Sequence, residues 1–391
     1  MFLTFQLTFT IGQYPTEWID AGVAWLSETV GKMLGEGMLR DMVVDGAIAG
    51  VGSVIVFFPQ IMILFLFLSF MEDTGYMARV AFLMDKVMHK IGLHGKSFIP
   101  LLMSFGCNVP AIMACRTIES RSSRIITILI SPFMSCSARL PIYILLVGTF
   151  FPSYASLVLI GLYILGIMVA IVTAKLMRRY LYPVDETPFV MELPPYRVPT
   201  LNATLRHMWE RSEQYLKKIG GLILVAAIVI WFLSYYPRAT YEPVAVDVIE
   251  NVSADMAVQQ SEYSYLGRIG KLCEPVMKPL GLDWRASVSL LSGAAAKEIV
   301  VSTLGVLYSV EDAESNSVSL SQHLIASGNY SRAAALAMMI FVLLYFPCIA
   351  TISAIAQEAG GWKWAILTAV YTIALAWIMA FATFHLASLF I

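Results

Sequence analysis

The chain of 391 residues is 58% hydrophobic and only 14% charged, and its mean hydropathy is +0.73. A soluble domain of this length would be far more polar, so the composition indicates an integral membrane protein that is embedded in the lipid bilayer. The net charge of -1 and the lack of a basic run interleaved with aromatic residues argue against nucleic acid as a partner. Five widely spaced cysteines do not fit a secreted disulfide framework, so we expect free thiols.

The first region, residues 1–50, begins with the apolar segment Met1–Gly12. This segment is shorter than the roughly 20 residues that cross a bilayer, and it lacks the basic flank of a signal peptide. We interpret it as a truncated first transmembrane helix followed by outer amphipathic helices. We therefore expect the native protein to continue upstream.

The rest of the chain alternates apolar stretches with charged segments. Basic residues gather in 74–124 and 175–218, which the positive-inside rule assigns to the cytoplasm. The acidic segments 13–50, 237–262 and 310–331 are expected to face outward. The candidate spans are Val51–Met71, Ile125–Phe150, Ser153–Ala174, Ile219–Tyr236, Ala333–Ala356 and Ala365–Ala387.

Residues 181–218 are interpreted as a proline-rich cytoplasmic linker with an amphipathic helix, and they divide the chain into halves. At an offset of 189, Tyr76–Leu102 aligns without gaps with Tyr265–Leu291, with nine identities. Three proposed spans separate the copies, which predicts repeats of inverted topology. The first repeat and its following span occupy 51–180, and the second repeat with the C-terminal helices occupies 219–391.

Each repeat contains two breaks in apolar sequence. Ser97–Ala114 and Ala286–Tyr308 are predicted re-entrant hairpins, and a helix broken at proline and cysteine follows each hairpin. Irregular backbone persists at membrane depth only where it is buried in protein or lines a cavity. The predicted fold is therefore all-α and polytopic, with a re-entrant hairpin and a broken transmembrane helix in each inverted repeat.

Cys107, Cys136 and Cys348 lie at these breaks. Thiolate combined with oxygen donors suits a metal ion of intermediate softness and still allows exchange, so these cysteines are candidates for a metal pathway. The alternative for each is a small buried hydrophobic side chain. Glu72 and Asp73 end an apolar span; they are either an interfacial helix end or a carboxylate pair at the inner mouth of the pathway.

Three charged residues lie inside the apolar breaks. Lys297 and Glu298 occupy the middle of the second hairpin, where an unpaired charge is costly, so we expect them to pair with each other or with Asp73 or Arg139. Arg139 is expected to bind carbonyls at the first helix break. At the offset of 189, Ala296 in the second hairpin aligns with Cys107 in the first. This difference suggests that the first hairpin holds metal, whereas the second, with Lys297 and Glu298, holds charge.

Long runs of the sequence resemble the membrane domain of the ferrous iron transport protein B (FeoB) family. The resemblance is carried by Glu72–Arg121, Ser131–Pro141, Gly281–Tyr308 and Phe346–Thr351.

This resemblance implies Fe²⁺ uptake by a multi-pass protein of the bacterial inner membrane, with two Gate repeats of a kind also found in concentrative nucleoside transporters. It also implies an N-terminal GTPase domain, which would bind GTP and Mg²⁺, and a small cytoplasmic Feo accessory protein as a partner. A homo-oligomer is a further possibility that the sequence leaves open. No phosphate-binding loop occurs in this sequence, so we expect no cofactor and no enzymatic activity here. The competing interpretations are a nucleoside or organic-solute symporter and a non-transporting membrane sensor or scaffold.

Overall fold

A computed structural model of the chain describes residues 2–34, 37, 40, 42–181, 196, 199–237, 259–308, 321, 324 and 330–390. This part is helical and contains no strand, which confirms the all-α prediction. Nearly all of the proline-rich stretch and most of the two later acidic segments lie outside the described residues. The chain divides into two compact units, which are taken one at a time.

Unit 1 comprises Met1–Ser131, Ile171–Trp231 and Ser353–Gly361. It also contains a π-helix, Met42–Ile48, and 3₁₀ turns at Gly95–Ser97 and Cys115–Thr117. Its α-helices are α1 (Phe2–Leu34), α2 (Ala49–Asp73), α3 (Tyr76–Ile91), α4 (Phe98–Met103), α5 (Asn108–Ala114), α6 (Arg121–Ile130), the end of α8 (Ala155–Leu181) and most of α9 (Leu201–Tyr235).

Helices α1 and α2 pack along each other. α1 continues through Pro15, and the approach to α2 is so close that a Cβ atom at Gly52 would lie 2.5 Å from Cγ1 of Val23. At the other end of α2 the chain bends by 78° between Phe58–Asp73 and α3. Gly75 occupies this bend with a φ of 74°, a conformation that glycine adopts without steric cost.

Helix α3 leads into the first hairpin through a capped turn. Gly92 ends the helix in the left-handed conformation, with φ at 86°. Asp85 then accepts a hydrogen bond from the amide of Gly95 at 3.0 Å, and Nδ1 of His94 accepts from the amide of Lys96 at 3.2 Å. These bonds fix the direction in which α4 begins.

Unit 2 comprises Pro132–Ala170, Phe232–Ile352 and Trp362–Ile391. It has 3₁₀ turns at Ser131–Phe133, Ser137–Arg139, Pro152–Tyr154 and Lys278–Leu280. Its α-helices are α7 (Leu140–Phe150), most of α8, α10 (Tyr265–Met277), α11 (Trp284–Ser292), α12 (Ile299–Leu307), α13 (Arg332–Leu344), the start of α14 (Ile349–Glu358) and α15 (Trp362–Phe390).

The two repeats have the same order of elements. An amphipathic helix, α3 or α10, precedes a hairpin, an N-capped helix, a break, a short helix and a long apolar helix. Gly281 matches Gly92 in adopting a left-handed φ, here 72°. Ser120 and Ser331 both cap the helix after the hairpin by accepting a hydrogen bond from a backbone amide. The structure thus confirms the internal repeat in the backbone, while its inversion stays a prediction.

Four stretches of the described chain are long and apolar enough to cross a bilayer. The bent pair α2 and α3 passes the same test when taken as one unit, whereas the apolar part of α9, Leu224–Tyr235, is shorter than a span. These lengths support the prediction of a polytopic membrane protein. The four stretches are Arg121–Phe150, Pro152–Leu181, Arg332–Glu358 and Trp362–Leu389.

Candidate ion pathway

The first hairpin presents Cys107 at a helix N-terminus. Helices α4 and α5 contact each other, and Cys107 is the last extended residue before α5, with φ -149° and ψ 132°. Its amide donates to the carbonyl of Met103 at 3.2 Å, and its side chain is half-buried. The thiol therefore lies at the helix break, as the sequence predicts.

Asn108, the next residue, closes the first break with neutral hydrogen bonds. With its amide nitrogen turned toward them, the buried side chain donates to the carbonyls of Ser131 at 3.2 Å and Ser104 at 3.3 Å. Both carbonyls are at places where helical hydrogen bonding is interrupted. The first break is therefore satisfied by an amide and carries no buried charge.

Glu72 and Asp73 lie at the end of α2 and are both tied to α9. A carboxylate oxygen of Glu72 is 2.6 Å from a guanidinium nitrogen of Arg211, and Asp73 accepts a hydrogen bond from the hydroxyl of Thr204 at 3.2 Å. The Glu72 side chain is largely exposed. These contacts give the two carboxylates a role in joining helices, and the second role at a pathway mouth stays a prediction.

In unit 2, the first broken helix is held at its break by Arg139. The guanidinium donates to the carbonyls of Met134 at 3.3 Å and Pro132 at 3.2 Å, as expected for a residue that satisfies the break. Arg139 is completely buried, although it lies in a segment long enough to cross a membrane. The buried Cys136 immediately precedes the 3₁₀ turn that contains this arginine.

The second hairpin places a lysine where the first has Asn108. α11 and α12 contact each other across the break, and Lys297 is 4% exposed. Its ammonium nitrogen lies 4.3 Å from the ring centroid of Tyr345 and has no hydrogen-bond partner among the described residues. The ammonium thus faces an aromatic ring, and the pairing of Lys297 with Glu298, Asp73 or Arg139 stays a prediction.

Cys348 lies at the second helix break, beside this hairpin. Its sulfur is 3.0 Å from the hydroxyl of Thr351, and the amide of Ile349 donates to the carbonyl of Ala294 at 3.0 Å, which joins the break to the hairpin.

Two groups of predicted residues can thus be distinguished. Cys107, Glu72 and Asp73 belong to unit 1, and the remaining five predicted residues belong to unit 2. The structure joins none of the five cysteines in a disulfide. Among the described residues, no group of three or more His, Cys, Asp and Glu side chains is arranged to hold a metal ion. The metal-binding role of each residue remains a prediction.

Neither Tyr345 nor the hydrogen-bonding role of Asn108 at the break was predicted from the sequence. Tyr345 ends an apolar run and resembles a packing residue, but its hydroxyl is buried without a hydrogen-bond partner. Asn108 follows the conspicuous Cys107, and the repeat offset pairs it with Lys297. That pairing was the available signal, because matched positions in two repeats are expected to share a place in the fold.

Outside the membrane-spanning stretches, burial lowers the pKa of His94 below its ordinary value of 6.5, and the nearby Lys96 lowers it further. The neutral ring is the form that accepts the hydrogen bond from the amide of Lys96. Lys96 itself binds Glu119 at 2.6 Å and holds the pKa of that exposed carboxyl below its usual value. The turn before the first hairpin is thus sensitive to protonation.

One of the protein families that match this chain does so in two separate stretches, one in each repeat. The family model described as "Nucleoside recognition" (Gate) matches residues 54–150 and 216–362, and the model described as "Ferrous iron transport protein B C terminus" matches residues 159–211. The two Gate stretches contain the two hairpins and both broken helices. No solved structure matches this chain.

Curated relatives match the chain from end to end. A fusion of Fe(2+) transport protein A with the Fe(2+) transporter FeoB from Porphyromonas gingivalis is 52% identical over 100% of this chain and 49% of its own length. The Fe(2+) transporter FeoB of Campylobacter jejuni is 43% identical over 100% of this chain and 62% of its own, and that of Methanocaldococcus jannaschii is 42% identical over 97% and 54%. The chain therefore spans about half to three fifths of these relatives. It belongs to the ferrous iron transport protein B family and carries both Gate regions.

Proposed function

We propose that this chain forms the membrane pathway of a ferrous iron transporter. The observation that carries the proposal is the match, at 42–52% identity over 97–100% of the chain, to proteins named as Fe(2+) transporters. The helices long enough to span a membrane and the breaks within them supply the physical setting for an ion path. As in the relatives, the path would operate in a membrane, and for a bacterial protein this is the inner membrane.

Thiols at the helix breaks are the proposed ligands for the passing ion. Cys107 in unit 1 and Cys136 and Cys348 in unit 2 each adjoin backbone that has left the helical pattern. A mixed sulfur and oxygen environment binds Fe²⁺ without the strength of a closed thiolate site. Glu72 and Asp73 are proposed to attract the cation at the end of α2.

The proposed partners also come from the relatives. One relative is a fusion with Fe(2+) transport protein A, which supports a small accessory protein as a partner of this chain. Gating by a GTPase domain, with GTP and Mg²⁺ bound there, stays a prediction from the family resemblance. Assembly of several copies is likewise a prediction.

Uptake of radioactive Fe²⁺ under reducing conditions tests the proposal, in cells that lack other ferrous iron uptake. We expect Cys107→Ser and Cys136→Ser to reduce uptake by about tenfold or more, because loss of a direct ligand weakens metal binding at least as much as loss of its supporting contacts. Cys273→Ser is the matched control, since Cys273 lies on α10 away from either break. Normal uptake in both test variants at equal expression would reject the thiol pathway.

A nucleoside transporter is the second candidate, because the description of the matching Gate model is "Nucleoside recognition". Uptake of labelled uridine in the same cells distinguishes the two candidates. Uridine transport without iron transport would overturn the ferrous iron proposal. Transport of neither, by protein that reaches the membrane, would favour a sensor or scaffold.

A further inference from the structure

The amphipathic helices α3 and α10 each have a row of exposed apolar side chains. At the repeat offset of 189, the matched pairs in the two rows are Tyr76 and Tyr265, Leu83 and Leu272, and Val87 and Val276. The exposed fraction is 79% for Leu83 and 78% for Leu272, so the two copies present this pair to the same extent. An apolar row that is exposed in both copies indicates a surface that contacts an apolar partner.

A second side of each helix is packed, which fixes its rotation. Met77 and Ala81 of α3 are buried in unit 1, and their counterparts Leu266 and Gly270 of α10 are buried in unit 2. With 3.6 residues per turn, the exposed row is a strip about 40° wide, and its centre lies about a third of a turn from the buried pair. Turning the row inward would expose the packed pair. The exposed row is therefore a fixed feature of each helix.

Helix α3 connects the ends of two apolar helices. It begins after the 78° bend at the end of α2, and it ends at Gly92, where a Cβ atom would lie 2.9 Å from Cγ of Arg178. Arg178 belongs to the last turn of the stretch Pro152–Leu181, which is long enough to cross a membrane. The ends of membrane-crossing helices lie at the level of the lipid headgroups. These contacts place α3 at the membrane surface and incline it steeply to α2.

Two lysines of α3 lie beside the apolar row and have no ion pair among the described residues. Lys86 and Lys90 are exposed, at about 40–80° from the centre of the row around the helix. The two acids of the same basic segment have other partners, since Asp85 accepts a backbone hydrogen bond at 3.0 Å and Glu119 binds Lys96 at 2.6 Å. Exposed ammonium groups beside an apolar row are complementary to a lipid with a negatively charged headgroup.

Helix α10 has the apolar row without these two lysines. At the same offset prolines replace them, at Pro275 and, just after the helix, at Pro279. Lys271, the lysine of α10, pairs with Glu262 at 2.6 Å. The apolar row is thus common to both repeats, whereas the pair of lysines belongs to the first, in a segment that the positive-inside rule assigns to the cytoplasm. The cytoplasmic membrane surface carries anionic lipids that attract such residues.

We infer that α3 lies in the plane of the membrane surface and binds an anionic phospholipid. The apolar row lies among the acyl chains, and the ammonium groups of Lys86 and Lys90 bind the headgroup phosphate. A second copy of α3 against the row would bring its own lysines close to these two, and like charges in contact repel, so charge favours lipid over a second copy. Lipid binding at α3 does not depend on iron transport, and it can be tested without it.

The binding test uses phosphatidylglycerol with a fluorophore on one acyl chain, titrated into the purified protein in neutral detergent and followed by fluorescence anisotropy. We expect saturable binding. The double variant Lys86→Gln and Lys90→Gln should bind about tenfold or more weakly, because each lysine at an anionic surface contributes about fivefold to affinity. The double variant Lys86→Arg and Lys90→Arg keeps both charges and should bind like the parent protein. Lys271→Gln is the matched control on α10, since that lysine already pairs with Glu262.

Competition identifies what the lysines recognise. Unlabelled phosphatidylglycerol should displace the fluorescent lipid, whereas phosphatidylcholine and free glycerol phosphate should not. Displacement by glycerol phosphate as strong as that by phosphatidylglycerol would reveal a site for free phosphate, and equal displacement by phosphatidylcholine would show that charge has no role. Either result overturns the proposal, as does unchanged binding in the double glutamine variant.

A photoreactive side chain tests the apolar row in the membrane itself. With p-benzoylphenylalanine in place of Leu83, we expect illumination of intact membranes to produce a lipid adduct of this chain, detected by mass spectrometry. The same replacement of Leu272 is the matched comparison on α10 and is expected to produce a lipid adduct as well. Cross-linking of position 83 to a second copy of the chain, or the absence of any lipid adduct there, would contradict the proposal.

Discussion

The hairpins of the two repeats have the same backbone plan and opposite chemistry. At matched positions the first has Cys107 and Asn108, and the second has Ala296 and Lys297. Asn108 satisfies two carbonyls with neutral hydrogen bonds, whereas the ammonium of Lys297 is buried without a hydrogen-bond partner in the described chain. A duplicated scaffold can thus keep its turns and caps while its two breaks acquire separate tasks.

The largest expected difference between the repeats concerns their left-handed glycines. Alanine at Gly281 would meet Phe384 at 2.5 Å and Ala334 at 3.1 Å, both in packed helices, whereas alanine at Gly92 would meet the flexible side chain of Arg178 at 2.9 Å. We expect Gly281→Ala to lower the free energy of unfolding by about 2–4 kcal/mol and Gly92→Ala by about 1–2 kcal/mol. Denaturant unfolding in mild detergent measures both values. Equal losses in the two variants would show that the cost of alanine comes from backbone strain alone and not from the neighbouring side chains.

Asn108 and Lys297 occupy matched positions at the two hairpin breaks, and their substitution should change the free energy of unfolding in different ways. Asn108→Ala leaves the carbonyls of Ser131 and Ser104 without their donor, so we expect a loss of about 1–3 kcal/mol in the free energy of unfolding. Lys297→Met removes a buried amine that has no hydrogen-bond partner among the described residues. It keeps an apolar side chain of similar length, so stability should stay the same or rise. A loss as large as that of Asn108→Ala would contradict this contrast.

The turn before the first hairpin should make stability depend on pH. Since the folded state lowers the pKa of His94, the stabilisation is fully present above pH 6.5 and is lost as the pH falls, because the unfolded chain binds the proton first. His94→Asn should flatten the unfolding free energy between about pH 6.5 and 5. The exposed His207→Asn is the control. If the unfolding free energy of His94→Asn falls with pH as steeply as that of the parent protein, another group causes the pH dependence.

The smallest expected change concerns Glu72. Its ion pair with Arg211 is partly exposed on both sides, so Glu72→Gln should cost roughly 0.5 kcal/mol or less, and less still at high salt. If Glu72 also attracts the cation, the KM for Fe²⁺ uptake should rise a few-fold at an unchanged maximal rate. An unchanged KM would leave Glu72 with the role of joining helices alone.

The helix breaks and the turns around them could be predicted from the sequence because glycine, proline and capping residues act locally. The prolines and cysteines marked the breaks that the structure shows. The partners of the charged residues could not be predicted in this way. For Lys297 the sequence suggested Glu298, Asp73 or Arg139 as partners, and it gave no sign of the ring of Tyr345, which lies 4.3 Å from the ammonium nitrogen.

The sequence by itself determined the membrane environment, the internal repeat and the family, because composition, periodicity and long motifs are properties of the chain order. Only the tertiary structure decided which polar atoms at the breaks are satisfied. That depends on side chains from distant segments, as with Asn108 and the carbonyl of Ser131, or Lys297 and the ring of Tyr345. These contacts matter for stability because a buried polar group has lost its hydrogen bonds to water and must be satisfied within the fold.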